Sequence, residues 1–203
     1  LSLLTLLKNG HSTDECVAVL PSDHVILDVN SFKHDLLLAK EESEKNQKIT
    51  VIGINPLFPH TGYGYIKKGS IVGENIYEVD KFVEKPSLDI AKSYLESNNY
   101  FWNAGMFIAP IKVLIDEIQE HAPELYQFKD QLMGSIGDFE KTSEVYSKLP
   151  KDSIDYAVIE KSNRVQAVAA SFDWNDLGSW DALEDVCPKV ENNILTSDVQ
   201  TQF

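Results

Sequence analysis

Carboxylates follow two apolar segments of this sequence, at points where each segment gives way to turn residues. The stretch VAVLPSDHVI places Asp23 after one apolar run, and FDWNDLGSW places Asp173 and Asp176 after another. Ligands in open α/β sheets bind beyond the carboxyl ends of strands, where two acids can share a hard cation with substrate phosphates. An aspartate that closely follows proline also favours a turn. From these residues alone, Asp23 is either a metal ligand or a turn residue, and we expect the adjacent His24 to be structural.

A charged pair ends a third segment, FVEKPS, in which Glu84 and Lys85 precede Pro86. A lysine at the end of a strand can act as a point charge for a phosphate group. Because a solvated pair at a strand edge has the same pattern, the sequence leaves both interpretations open.

Two further stretches carry groups suited to a sugar or nucleotide ligand. TGYGYIKKG contains Gly64 but does not fit the dinucleotide fingerprint G-x-G-x-x-G, so it predicts either a turn or backbone contact with a ligand. YFWNAGMFIAP places Asn103 among apolar residues. An amide buried there must be satisfied, either by backbone groups or by the hydroxyls of a sugar-like ligand.

Nothing in the sequence indicates covalent nucleophilic catalysis. Neither cysteine lies in a context that is both polar and electropositive: Asp14 and Glu15 precede Cys16, and Cys187 falls late in an amphipathic stretch. The G-x-S-x-G and Walker motifs are absent. The five histidines show no metal-ligand spacing. Both cysteines are predicted to be reduced packing residues, which favours a cytoplasmic location.

The elements that would position these groups alternate between strand and helix patterns. Short apolar runs at residues 16–20 and 49–54 predict buried strands, and Ser31 is a plausible N-cap for the helix between them. This alternation predicts an α/β fold with a parallel sheet covered on both faces. The middle of the chain predicts a set of antiparallel strands. The remainder predicts helices within 111–148 and at 153–161, a strand at 164–172 and a helix at 180–186.

The composition is that of an ordinary globular chain with an acidic surface. Its 203 residues suffice for one substantial core, and 43% of them are hydrophobic. The net charge of −14 opposes non-specific attraction to nucleic acid or anionic membranes. It does not exclude small anionic substrates, because a few lysines or a metal ion can reverse the local field.

Six motifs occur in an order that resembles a known family: VLPSDHVI, TGYGYI, FVEKP, FWNAGMF, SIDYAVIEKS and WNDLGSW. Together they are similar to the bacterial mannose-1-phosphate guanylyltransferases, of the sugar-1-phosphate nucleotidyltransferase superfamily. The resemblance implies a Rossmann-like α/β/α sandwich with a mixed, mainly parallel sheet. It also implies the reaction of GTP with α-D-mannose 1-phosphate, giving GDP-mannose and diphosphate, with Mg²⁺ as cofactor.

The resemblance implies roles for particular residues. Asp23 and Asp176 match the metal-binding aspartates, and Lys85 would neutralise the sugar phosphate as the catalytic lysine. Three residues match substrate-binding positions: Gly64, Glu84 and Asn103. The implied partners are GTP and mannose 1-phosphate, without nucleic acid or membrane, and a homodimer is compatible with the resemblance.

One feature of the family is missing from these residues. The Gly-rich loop GGxGxRLWPLS, which cradles the triphosphate, does not occur in the chain. We therefore expect an N-terminally truncated nucleotidyltransferase domain at 1–190, with 191–203 as the start of a linker or following module, and no guanylyltransferase activity from this polypeptide alone. The alternatives are a nucleotidyltransferase for another sugar or base, or a non-catalytic sugar-phosphate-binding module.

Overall fold

The computed structural model describes residues 1–178, 182, 183 and 187, and the short segments 189–190, 193–196 and 199–202. Its helices are α1 (Ser2–Lys8), α2 (Val29–Asn46), α3 (Leu88–Ser97), α4 (Ile111–His121), α5 (Pro123–Tyr126), α6 (Lys129–Ser135) and α7 (Phe139–Tyr146), with a π-helix at Asp155–Ile159. Its strands are β1 (Cys16–Val19), β2 (Ile49–Ile54), β3 (Tyr65–Gly73), β4 (Ile76–Val83), β5 (Tyr100–Pro110), β6 (Val165–Ala169), β7 (Lys189–Val190), β8 (Asn193–Thr196) and β9 (Val199–Gln202).

The main sheet has the order β1-β5-β2-β6-β4-β3 and is mixed. The predicted α/β fold with a mixed sheet is confirmed, but the share of parallel pairing is smaller than predicted. Among the described strands only β2 and β6 run parallel. The reason is that β5 runs antiparallel to every strand it pairs with, namely β1, β2 and β3. Strand β4 is likewise antiparallel to β3 and β6.

The β3–β4 hairpin closes the sheet upon itself. Strand β4 pairs with β6, and the first residues of β3 pair with β5, so β5, β2, β6, β4 and β3 form a ring of strands. Tyr65 lies in register between Val83 of β4 and Trp102 of β5. The ring therefore brings the start of β3, the end of β4 and the middle of β5 to one place.

Two buried clusters of apolar side chains cover the two faces of the sheet. Alternate residues of β2 point to opposite faces, so Ile52 packs in the cluster that contains Ala39 of α2, and Val51 packs in the cluster that contains Val113 of α4. Strand β2 is buried along its whole length, as predicted.

Strand β1 differs from the prediction of a buried strand. Its first two residues are half-buried and its last two are exposed. Among the described strands β1 pairs only with β5, so it is an edge strand, and an edge strand is covered less completely than a central one.

Strands β7, β8 and β9 form a separate antiparallel sheet. The predicted boundary at residue 190 falls between β7 and β8, and the domain division stays a prediction. The helix predicted at 180–186 lies outside the described residues, apart from Ala182 and Leu183. In the described part of the chain, no helix combines the length and the apolarity needed to cross a membrane.

The ring of strands makes a prediction about two isoleucines of β3. Ile66 is 0% exposed at the end that pairs with β5, whereas Ile71, near the hairpin tip, is 70% exposed. We expect Ile66→Ala to lower the free energy of unfolding by about 2–5 kcal/mol, because it leaves a cavity in the core. Ile71→Ala should change it by about 0.5 kcal/mol or less. Urea denaturation measures both, and equal effects would contradict the closed arrangement.

Candidate functional site

Three of the predicted substrate-binding residues lie together because of the strand register. Tyr65, Val83 and Trp102 are aligned across β3, β4 and β5. Gly64 precedes Tyr65, Glu84 follows Val83, and Asn103 follows Trp102. The Asn103 amide N–H donates to the Gly64 carbonyl oxygen at 2.8 Å. A Cβ atom added to Gly64 would lie 2.5 Å from Oε2 of Glu84, so only a glycine lets this carboxylate take its observed position.

The side chain of Asn103 is oriented by two hydrogen bonds. Its Nδ2 donates to Oδ1 of Asp155 at 3.1 Å, and its Oδ1 accepts from the backbone N–H of Gly105 at 3.1 Å. Gly105 has a φ of +67°, a backbone conformation that glycine adopts without strain. The amide is thus satisfied within the protein, and its second Nδ2 hydrogen is the group available to a ligand.

Glu84 and Lys85 stand where β4 ends. Oε1 of Glu160 accepts the backbone N–H of Glu84 at 3.1 Å, and the Lys85 N–H donates to the carbonyl of Tyr63 at 3.2 Å. Lys85 has a φ of +47°, which is unfavourable for a residue with a side chain. Strain of this kind concentrates at functional sites. The Lys85 ammonium lies 3.5 Å from Oε1 of Glu84 and is exposed, as a point charge for phosphate must be.

Gly64, Glu84 and Asn103 form one surface, called the wall below. Residues in and next to the π-helix that contains Asp155 hydrogen-bond to this wall. Asp155 and the adjoining Glu160 fix Asn103 and the Glu84 backbone, respectively. Sequence reasoning singled out SIDYAVIEKS as a motif but gave neither acid a role. The signal was the presence of two acids in a short motif with a central apolar run, and their partners became evident only from the long-range pairing.

Burial raises the pKa values of two carboxyls at this wall. For Glu84 the chief cause is desolvation, reinforced by the negative charge of Asp155 and opposed by Lys85. For Asp155 desolvation also dominates, and the hydrogen bond from Asn103 opposes it. Two carboxyls therefore interact with one lysine here. This surface is rich in acceptors for hydroxyl groups but depends on Lys85 or a cation to hold phosphate.

The predicted metal ligand Asp176 lies next to this wall. The hydroxyl of Tyr63 donates to its Oδ1 at 2.8 Å, and the backbone N–H of Gly178 donates to the same oxygen at 3.0 Å. Burial and this hydrogen bond raise the pKa of Tyr63, so the phenol stays protonated and acts as a donor. Tyr63 immediately precedes Gly64, and the tyrosine therefore joins the carboxylate of Asp176 to the wall of Gly64, Glu84 and Asn103.

Asp23 reaches the same region through a short antiparallel bridge. Val25 and Asn175 exchange backbone hydrogen bonds of 2.8 and 3.1 Å, which brings the segment of Asp23 and His24 beside that of Asp176. Burial lowers the pKa of His24, while the charges of both Asp23 and Asp176 act to raise it. Nδ1 of His24 accepts from Nε1 of Trp174 at 3.0 Å, which agrees with the structural role expected for this histidine.

Asp173 holds a backbone loop through hydrogen bonds. Its two oxygens accept the backbone N–H groups of Leu27 and Asp28, at 2.8 and 2.6 Å. Asp28 in turn caps helix α2 by accepting the N–H of Ser31, so the cap predicted at Ser31 is wrong by three residues. Asp173 fixes the loop before α2, and Asp176 is the acid of this pair that remains for a ligand.

The donor chemistry of Asp23 and Asp176 suits a hard divalent cation. Both residues offer carboxylate oxygens, which Mg²⁺ prefers over nitrogen or sulfur. Asp23 is exposed and Asp176 is half-buried. Leu177, directly after Asp176, has a φ of +50°, so this end of the site also holds a strained backbone position.

Comparison with known proteins gives a consistent result. A family model described as "Nucleotidyl transferase" matches residues 3–193. The chain is 37% identical over 204 residues to mannose-1-phosphate guanylyltransferase RfbM of Salmonella typhimurium, covering 98% of this chain and 42% of that protein. It is 39% identical to a mannose-1-phosphate guanylyltransferase of Sinorhizobium fredii, covering 92% of this chain and 37% of the relative.

Among solved structures, a protein from Thermus thermophilus described as mannose-1-phosphate geranyltransferase superposes with a TM-score of 0.81. The two share 35% sequence identity, and the superposition covers 91% of this chain and 52% of the Thermus protein's chain. The chain spans about two fifths of the length of the curated relatives it matches.

The raised pKa of Asp155 predicts how the free energy of unfolding depends on pH. Because its pKa is raised in the folded state, its ionisation opposes folding once the pH exceeds the ordinary aspartate value of about 4. Asp155→Asn keeps an acceptor for Asn103 and removes the charge. We expect this variant to be more stable than the parent near neutral pH, with the difference shrinking in acid.

Asp138 provides the control of opposite sign. It caps helix α7, and its hydrogen bonds from Lys141 lower its pKa, so its charge stabilises the fold above that pKa and the benefit is lost in acid. Asp138→Asn should therefore be slightly less stable than the parent near neutral pH. Urea denaturation across acidic and neutral pH distinguishes the two, and a destabilised Asp155→Asn at neutral pH would contradict the assignment.

Proposed function

Because this chain belongs to the nucleotidyl transferase family, we propose that it provides the metal and sugar-phosphate side of a mannose-1-phosphate guanylyltransferase site. The reaction is GTP + α-D-mannose 1-phosphate → GDP-mannose + diphosphate. The names of the relatives, at 34–39% identity, support mannose 1-phosphate and GTP as substrates. The free thiols of Cys16 and Cys187 support the cytoplasm as the compartment.

The observation that carries the proposal is the shared wall of Gly64, Glu84 and Asn103. It presents a carboxylate and an amide hydrogen, the groups that bind sugar hydroxyls. Lys85 stands at its edge with a positive charge. Tyr63 connects this wall to Asp176, so a sugar bound at the wall would extend its phosphate toward the carboxylate pair.

The chemistry requires alignment more than proton transfer. The attacking group is a phosphate oxygen of mannose 1-phosphate, which is already anionic, so no strong general base is needed. This oxygen bonds to the α-phosphorus of GTP as the bond to the β-phosphate oxygen breaks and diphosphate leaves. Mg²⁺ held by Asp23 and Asp176 would neutralise the phosphates, and Lys85 would hold the sugar phosphate in line.

Other sugars or bases are the less favoured reading. The solved UDP-glucose pyrophosphorylase that matches shares only 17% identity and supports the fold alone. A mannose-specific hydroxyl contact to Glu84 or Asn103 is the feature that separates the two readings. Selective binding of mannose 1-phosphate over glucose 1-phosphate by the chain is therefore the experiment that tests the proposal.

The metal assignment predicts Mg²⁺-dependent binding of mannose 1-phosphate. Calorimetric titration should show affinity that falls about tenfold or more in Asp23→Ala and in Asp176→Ala, because the phosphate loses its counter-ion. Asp130→Ala removes an exposed carboxylate of α6 and should leave binding unchanged. The assignment fails if both site variants keep the parent affinity and its sensitivity to Mg²⁺ removal.

The close approach at Gly64 predicts a loss of sugar binding without loss of the fold. In Gly64→Ala the new methyl group would lie 2.5 Å from Oε2 of Glu84 and 3.1 Å from the Phe82 ring. Because the ring is packed in the core and the carboxylate is flexible, the carboxylate is the group displaced. We expect affinity for mannose 1-phosphate to fall about tenfold, as one charged hydrogen bond is lost. Gly134→Ala, where a Cβ meets nothing within 4 Å, is the control. Unchanged affinity in Gly64→Ala would show that Glu84 does not contact the sugar.

A further inference from the structure

Away from the candidate site, the last turn of helix α4 brings three possible metal ligands together. Glu117, Glu120 and His121 have the spacing i, i+3, i+4, which places their side chains on one face of the helix. One ligand atom from each lies within 4.8 Å of the other two. Sequence reasoning found no histidine with metal-ligand spacing, because it compared histidines with one another and did not consider carboxylates one helical turn away.

Glu117 has one buried carboxylate oxygen to which no described residue donates a hydrogen bond. The residue is 1% exposed, and its Oε1 accepts from the guanidinium of Arg164 at 3.2 Å. Its Oε2 is fully buried and accepts no hydrogen bond from the described residues. A buried carboxylate oxygen that accepts no hydrogen bond is costly, and Nε2 of His121, 3.3 Å away, can offset this cost as an ion pair only when the imidazole is protonated.

One distance in the cluster matches the separation of two ligands around a small cation. Oε2 of Glu117 and Nε2 of His121 are 3.3 Å apart. Two ligands that each lie about 2.0–2.1 Å from a tetrahedral Zn²⁺ are separated by about 3.3–3.4 Å. Oε1 of Glu120 is 4.0 Å from the same nitrogen, and this side chain is 70% exposed, so it can rotate toward a shared ion.

We propose that Glu117, Glu120 and His121 form a binding site for Zn²⁺ or a similar borderline divalent cation. Glu117 and Glu120 offset the charge of the ion, and Asp116, 3.9 Å from the guanidinium, offsets that of Arg164. The fourth position would be open to water, and the carbonyls at the end of α4 also favour a cation. Arg164 holds Glu117 in place through its other oxygen, as outer partners do in metal sites. The imidazole ligand distinguishes this site from the all-carboxylate pair Asp23 and Asp176, and the proposal does not depend on the proposed function.

Calorimetric titration of the whole chain with Zn²⁺ tests the site. Replacing Cys16 and Cys187 by serine throughout removes the two thiols that would compete for Zn²⁺. We expect one binding event at this cluster, weakened about tenfold or more in His121→Gln and in Glu120→Gln. Glu120 is exposed, so its variant keeps the test valid even if changing the buried Glu117 prevents folding.

His11 provides a matched control. It pairs with Glu15 at 2.8 Å with the same i, i+4 spacing, but both side chains are exposed and the pair lacks a buried, unpartnered oxygen. His11→Gln should leave Zn²⁺ affinity unchanged. The proposal is overturned if the parent chain binds no Zn²⁺, if His121→Gln binds it equally well, or if His11→Gln weakens binding as much. Those results would leave His121 as an ion-pair partner of Glu117 alone.

Discussion

The position of Tyr65 between two strands is the constraint on which the candidate site depends. Tyr65 is 0% exposed and aligns with Val83 on one side and Trp102 on the other. Because the β3–β4 hairpin must reach from β6 back to β5, the chain positions beside this residue cannot vary independently. Gly64 and Asn103 become hydrogen-bonded neighbours, and Glu84 packs over the glycine.

The two halves of the site are joined by one side chain rather than by a shared strand. Tyr63 contacts Asp176 through its hydroxyl and Lys85 through its carbonyl. Tyr63, which lies just before β3, therefore connects the end of β4 with Asp176. Desolvated acids and left-handed backbone at Lys85 and Leu177 destabilise this region locally, and the surrounding core has to compensate for that cost.

Much of this arrangement could be predicted from residues near strand ends. The patterns around Asp23, Glu84 and Lys85 located polar groups where apolar segments stop, and the family resemblance added their roles. Asp155 and Tyr63 could not be found in that way, because their partners lie 52 and 113 residues away and are set by register. The mainly parallel sheet was predicted from local alternation of helix and strand, which does not reveal that β5 returns antiparallel through the centre.

A crystal structure of the chain with mannose 1-phosphate and Mn²⁺ would test the central claim most directly. Mn²⁺ replaces Mg²⁺ at oxygen sites and is located by its anomalous scattering. The account predicts an anomalous peak between Asp23 and Asp176, with the sugar hydroxyls against Glu84 and Asn103 and the phosphate beside Lys85. A sugar phosphate bound elsewhere, or a metal peak distant from both aspartates, would contradict it.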